Sequence, residues 1–236
     1  MNCSLANDRR ISGAIRLLDV AAIVCVVTVL AFLLILGMGR FKEHSLQTRC
    51  QNNLRQIATA LQLYAKDFKD LLPDCTPANP RYAGPIWPWD MNTNLTSDLA
   101  KFGITRDALY CPANPEMNDD RHWNYWRVGG TATRMTSYPI LFRGVAQLPR
   151  NLWRDRFLSG QSGAQTELGF DATAAIDGDY RKIQGAYTDR SSHIRGNRPL
   201  GGNILFLDQH VAWRDFSDMH NTFNTLGTTG RIEWRF

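Results

Sequence analysis

The chain has 236 residues, 44% hydrophobic and 21% charged, with a formal net charge of +5. That length accommodates one domain with a real core beside a short anchor. The mean hydropathy of −0.32 excludes a bundle of membrane spans. The basic residues are scattered, with no run of five or six like charges, which reads as a solvated surface and makes nucleic acid an unlikely partner.

Residues 1–16 form a small leader containing Arg9, Arg10 and Arg16, and are expected in the cytoplasm. Residues 17–39 are expected to form a transmembrane helix. The apolar run from Val20 to Met38 contains 19 residues, no charge and no proline. At about 1.5 Å per residue it nearly crosses a ~30 Å hydrocarbon core. A signal peptide has an apolar region of about 7–15 residues and a small-residue cleavage site, and neither feature is found here. A short leader before a large trailing domain predicts an internal amino terminus.

Residues 40–72 read as an amphipathic continuation of the same helix. Phe41, Leu46, Cys50, Leu54, Ile57, Leu61, Tyr64 and Phe68 recur at helical spacing, and Pro73 stops the pattern. Residues 73–236 are then an extracytoplasmic globular α+β domain. A short helix is predicted over Leu95–Phe102, with Thr93 or Asn94 as its cap. Short strands are expected in 121–148, separated by Gly129-Gly130 and Pro139, and one more around 167–170. The runs 203–207 and 210–214 flank Asp208-Gln209 and predict a hairpin over 203–214 that covers the helix stripe. The terminal RIEWRF reads as an edge strand or a surface segment.

Of five cysteines, Cys75 and Cys111 lie in loop-like surroundings. Outside the cytoplasm they are the expected disulfide, and in the cytosol the pair would stay reduced. No closely spaced Cys or His pair predicts zinc. No phosphate loop, nucleophile elbow or zinc-protease helix is present, so no enzyme and no catalytic residue is expected.

Three pieces stand in order: a membrane helix running into Cys50-Gln51-Asn52-Asn53-Leu54-Arg55-Gln56-Ile57, a Cys111-Pro112 pair, and a terminal Gly201-Gly202-Asn203-Ile204-Leu205-Phe206-Leu207-Asp208-Gln209-His210-Val211-Ala212-Trp213. This resembles the type II secretion pseudopilin (type IV pilin-like) proteins with a carboxy-terminal H-X9-DG domain, of the Planctomycetes and Verrucomicrobia type. The positions that match the family motif are Cys50, Asn52, Asn53, Leu54, Gln56, His193, Gly201, Gly202, Asn203, Asp208, His210 and Trp213. The resemblance implies a pilin-like α+β fold, with a long amino-terminal helix packed on a small antiparallel sheet. It implies a structural subunit of a secretion or pilus-related assembly in the inner membrane, whose partners are the membrane, other pseudopilins and inner-membrane components. The prepilin-processing candidates are Gly13, Ala14 and, for the family glutamate, Asp19, which sits one place late. The His193-to-Asp208 spacing is stretched by Arg195–Leu200, and Gln209 stands where the family has glycine.

No cofactor is expected, although the resemblance raises calcium. A metal site would draw on Asp208 and His210, with His193 and the Asp171, Asp177 and Asp179 loop near them. The plainer expectation is that Asp208 serves the turn and His193 satisfies loop backbone groups. The alternatives to a filament subunit are a membrane-tethered binding module that never polymerises, and a metal-dependent hydrolase centred on His193, Asp208 and His210.

Overall fold

The computed structural model describes residues 17–124, 132–183, 190–227 and 230–236, apart from the side chains of 17, 18 and 35–40. Gly13, Ala14 and the Gly129-Gly130 pair lie outside the described residues. The chain divides into two compact units, 1–42 and 43–236. Helix α1 is Leu17–Asp67.

In the first unit, the large apolar side chains from Val20 to Leu34 are 46% to 69% exposed. Among the described residues, no helix is long and apolar enough to cross a membrane.

In the second unit the helical stripe is buried where the 3.6-residue period places it. Cys50, Leu54, Ile57, Leu61 and Tyr64 are buried, together with Ala58 and Ala60, one on either side of the stripe. The stripe is shorter than expected at both ends. Phe41 belongs to the other unit and is exposed, and Phe68 is half exposed, stacked on Tyr64 at 4.2 Å. The helix stops at Asp67, ahead of Pro73. Lys69 and Asp70 turn left-handed, at φ 58° and 61°, and the Asp70 amide donates to Ala65 O. That reversal lets the Leu72 amide donate to Asp155 O.

The strands that follow are short: β1 Asp90–Asn92, β2 Thr133–Met135, β3 Glu167–Phe170, β4 Ala174–Ile176, β5 Ile194–Arg195, β6 Arg198–Pro199, β7 Gly201–Phe206, β8 Val211–Asp215, β9 Thr222–Leu226 and β10 Arg231–Arg235. They form antiparallel sheets in the orders β3-β7-β8 and β4-β10-β9, with β1-β2 and β5-β6 as pairs. Helix α2, Thr93–Ala100, has Asn92 as its cap, one residue before the expected position; the Asn92 side chain accepts from the Asn94 amide. The α+β class therefore holds, with a long amino-terminal helix and small antiparallel sheets.

The hairpin over 203–214 is present as β7-β8, in register from Gly201↔Asp215 to Leu205↔Val211. Its turn is longer than the two residues expected. Gln209 N donates to Phe206 O, Phe206 N donates to His210 O, and Gln209 takes φ 76°. This is a three-residue loop with a left-handed last position, which glycine normally fills. The terminal segment corrects the sequence expectation more sharply. Strand β10 lies between β4 and β9, and Ile232, Trp234 and Phe236 are core residues. Trp234 meets Trp89 edge-on at 4.8 Å, and Phe236 stacks on Phe170 at 4.5 Å.

Candidate functional site

The cysteine pairing differs from the sequence expectation. Cys111 is bonded to Cys50, at a Cα–Cα distance of 5.3 Å, while Cys75 is a buried free cysteine. Cys50 sits on the buried stripe of α1, and the loop carrying Cys111 is tied to that helix by Asn53. The Asn53 amide donates to Tyr110 O at 3.0 Å and to the Tyr138 hydroxyl at 3.2 Å. Cys75 is held elsewhere, its amide donating to Arg143 O, and burial pushes its thiol up to about 12.

The Cys50–Cys111 pair is one wall of a buried cluster. His193 Nε2 lies 3.5 Å from Cys111 Sγ and 3.3 Å from Asp171 Oδ2. On the other side of the ring, Nδ1 is 2.8 Å from Glu43 Oε1. One ligand-type atom from each of Cys50, Cys111, Asp171 and His193 lies within 4.8 Å of all the others, and all four residues are buried. Burial alone would lower the affinity of His193 for a proton. Asp171 and then Glu43 outweigh it and raise the ring to about 9. In the disulfide state the imidazolium therefore donates to a carboxylate on each side, a buried charge with two partners.

The backbone and neighbours fix this ring. His193 sits at φ 48°, a left-handed conformation. Its carbonyl accepts from the Leu200 amide, and Trp213 packs edge-on against the imidazole at 5.2 Å. Asp171 Oδ2 accepts from both the backbone amide and the side-chain amide of Asn203, each at 2.8 Å. Asn203 Nδ2 also donates to Gln47 O, and Gln51 donates to Val211 O, so the hairpin is bonded directly to α1. Gly201 is required by contact, and Gly202 is closely packed. A Cβ on Gly201 would lie 2.3 Å from Arg214 O and 2.7 Å from the Trp213 ring. One on Gly202 would stand 3.2 Å from the Asp171 Cβ.

The motif residues thus separate into two groups. Cys50, Asn53, His193, Gly201, Gly202, Asn203 and Trp213 build or buttress the cluster, and Leu54 is buried one helix turn beyond Cys50. Asn52 is exposed and accepts from Arg55, and Gln56 lines an open cavity that Cys111 also borders. Asp208 serves the turn, as expected, by accepting from the His210 amide at 3.1 Å. His210 Nδ1 stands 2.5 Å from the same carboxylate on a partly exposed surface. Among the described residues, the metal-competent group does not include Asp208 or His210, so the site sketched around them is not assembled. Asp177 and Asp179 sit in a turn where Asp179 is engaged by Arg181. His193 departs from the plainer expectation, because its side chain serves two carboxylates and not loop backbone. Sequence reading missed Asp171 as a partner of the cysteines and missed Glu43 altogether. The one available signal was that Glu43 and Cys50 are seven residues apart, two turns along one helix face.

These features define an α+β chain whose long helix is bonded to the β7-β8 hairpin beside a buried Cys–His–Asp cluster. Comparison with protein-family models, curated proteins and solved structures finds no match.

Proposed function

We propose that the chain is a structural, pseudopilin-like subunit of a type II secretion or type IV pilus-related assembly. In this reading its amino-terminal helix anchors it in the inner membrane, with residues 1–16 in the cytoplasm and the globular part in the periplasm. The observation that carries it is the contrast along α1. Residues 50–64 bury their apolar stripe against the head, whereas the apolar side chains from Val20 to Leu34 are exposed on all sides. An all-round apolar helix requires lipid or other helices to cover it. Ala21, Ala22 and Ala31 are small enough for helices of neighbouring subunits to approach closely. The role is assembly and not catalysis, and the cluster at His193 then serves to lock head to helix.

The alternative reading, a tethered binding module that never polymerises, draws on Arg16, which interrupts the apolar start of the family leader, and on the late position of Asp19. One experiment separates the two: determination of the amino-terminal residue of the mature protein in carbonate-washed membranes, followed by in-membrane oxidation through Cys25, which is exposed on α1. A subunit begins at Ala14 and gives Cys25-dependent dimers that Cys25→Ser abolishes. A chain retained by membranes but beginning at Met1 and giving no such dimer is the tethered module. A full-length chain that washes off the membrane overturns both.

A further inference from the structure

We propose that Cys50, Cys111, His193 and Asp171 form a zinc-class metal site when the two cysteines are reduced, and that the disulfide is its metal-free state. The donor set is two thiolates, one imidazole and one carboxylate, which suits a tetrahedral borderline-soft cation.

Two of the donor–donor distances agree with that assignment, and the two sulfurs, bonded to each other here, separate on reduction. Zinc bonds of about 2.0–2.3 Å at a tetrahedral angle imply donor–donor edges of about 3.4 Å for N···O and about 3.6 Å for S···N. His193 Nε2 stands 3.3 Å from Asp171 Oδ2 and 3.5 Å from Cys111 Sγ. Oδ2, the oxygen 3.3 Å from His193, also accepts from Asn203. Oδ1 is fully buried and has no hydrogen-bond partner among the described residues, so the carboxylate keeps a second oxygen to offer a cation. A buried carboxylate oxygen in that condition is costly unless something occupies it.

The surroundings have the organisation that metal ligands normally receive. A ligating histidine usually donates its second ring N–H to a carboxylate, which sets the tautomer and orients the ring. Glu43 Oε1, 2.8 Å from His193 Nδ1, is in that position. Asn203 orients Asp171 in the same way, and Trp213 packs against the imidazole. A cavity of about 510 Å³, lined by Arg49, Asn53, Tyr110 and Cys111 among others, borders one of the four ligands.

The interconversion balances simply. An external dithiol transfers two electrons and two protons to the Cys50–Cys111 bond, giving two thiols, and is itself oxidised to its disulfide. Binding of M²⁺ then releases three protons to solvent, one from each thiol as two sulfur–metal bonds form and one from His193 Nε2 as that nitrogen takes the metal. His193 coordinates through Nε2 as a neutral ring and keeps its Nδ1–H on Glu43.

The test uses the full-length chain in detergent, reduced and then freed of reductant, with Co²⁺ as the probe and Zn²⁺ as competitor. Reduced wild type is expected to bind one cobalt per chain, with a thiolate-to-cobalt charge-transfer band and tetrahedral d–d bands that zinc displaces. Two thiols should become unreactive on adding zinc, while the exposed Cys25 stays reactive. The oxidised wild type should give no band. His193→Ala and Asp171→Asn should lose the tetrahedral spectrum, and Cys75→Ser should keep it. Glu43→Gln, a positioning change, should keep the stoichiometry and weaken affinity by roughly 10–100-fold. Absence of the band in reduced wild type, which depends on no substitution, overturns the proposal. So does a band that survives unchanged in folded His193→Ala and Asp171→Asn.

Discussion

At the residue scale, two backbone positions in the terminal hairpin carry opposite conformational demands. Gln209 holds φ 76° in the turn, a region that costs a residue with a Cβ about 1–2 kcal/mol. Gln209→Gly removes that cost and returns part of it as unfolded-state entropy, so a net gain of about 0.5–1 kcal/mol is expected. Gly201 is the converse, since its φ of 153° and the Arg214 carbonyl leave no room for a methyl group. Gly201→Ala should cost about 2–3 kcal/mol, through the Arg214 carbonyl, the nearest group, and the displaced Trp213 ring. Urea midpoints measured at equal m-value check both, and a destabilised Gln209→Gly would show that the glutamine side chain holds the turn.

At the element scale, α1 and β10 show what a local pattern reveals and what it leaves hidden. The stripe on α1 was legible because its residues lie three or four apart, and the hairpin because both strands and their turn fall within a dozen residues. The central place of β10 was not legible in the same way. Ile232, Trp234 and Phe236 alternate, which indicates a strand, but pairing with β4 joins residues more than fifty positions apart, and no local rule foretells it. The cluster was hidden for the same reason. Its parts come from α1, the Cys111 loop, the segment after β3 and the loop before β5, and the Cys50–Cys111 link alone spans 61 residues. Choosing Cys75 as the partner of Cys111 followed from surroundings that looked like loop, whereas the helix stripe delivers Cys50 to the bond. The stripe yields a graded expectation. Leu54→Ala, at a fully buried position, should cost about 2–5 kcal/mol, because its neighbours close the resulting cavity only in part. Phe68→Ala, half exposed and touching mainly Tyr64, should cost about 1 kcal/mol or less. Equal losses in thermal unfolding would mean that the stripe extends past Tyr64.

For the molecule as a whole, pH and the division into two units decide how stability is distributed. Burial alone would raise the Asp98 carboxyl, but Lys101, Tyr82 and Arg81 outweigh it and hold it at about 2. A carboxylate with a lowered pKa stabilises the fold above its unfolded value of about 3.9, and the contribution disappears as pH falls from there towards 2. Because Arg81 and Lys101 are largely exposed, solvent screening limits it to about 1 kcal/mol. Asp98→Asn should therefore lower the melting temperature at pH 7 and leave it nearly unchanged at pH 2. The core of 43–236 contains all the buried apolar residues named above, whereas the described side chains of 19–34 are exposed. A chain beginning at Arg40 should then keep the cooperative unfolding transition of the full-length protein and remain in the supernatant after membrane sedimentation. The full-length chain should sediment with the membrane. Loss of the cooperative transition on removing 1–39 would mean that the apolar segment supports the head directly, and the separation of anchoring from folding would fail.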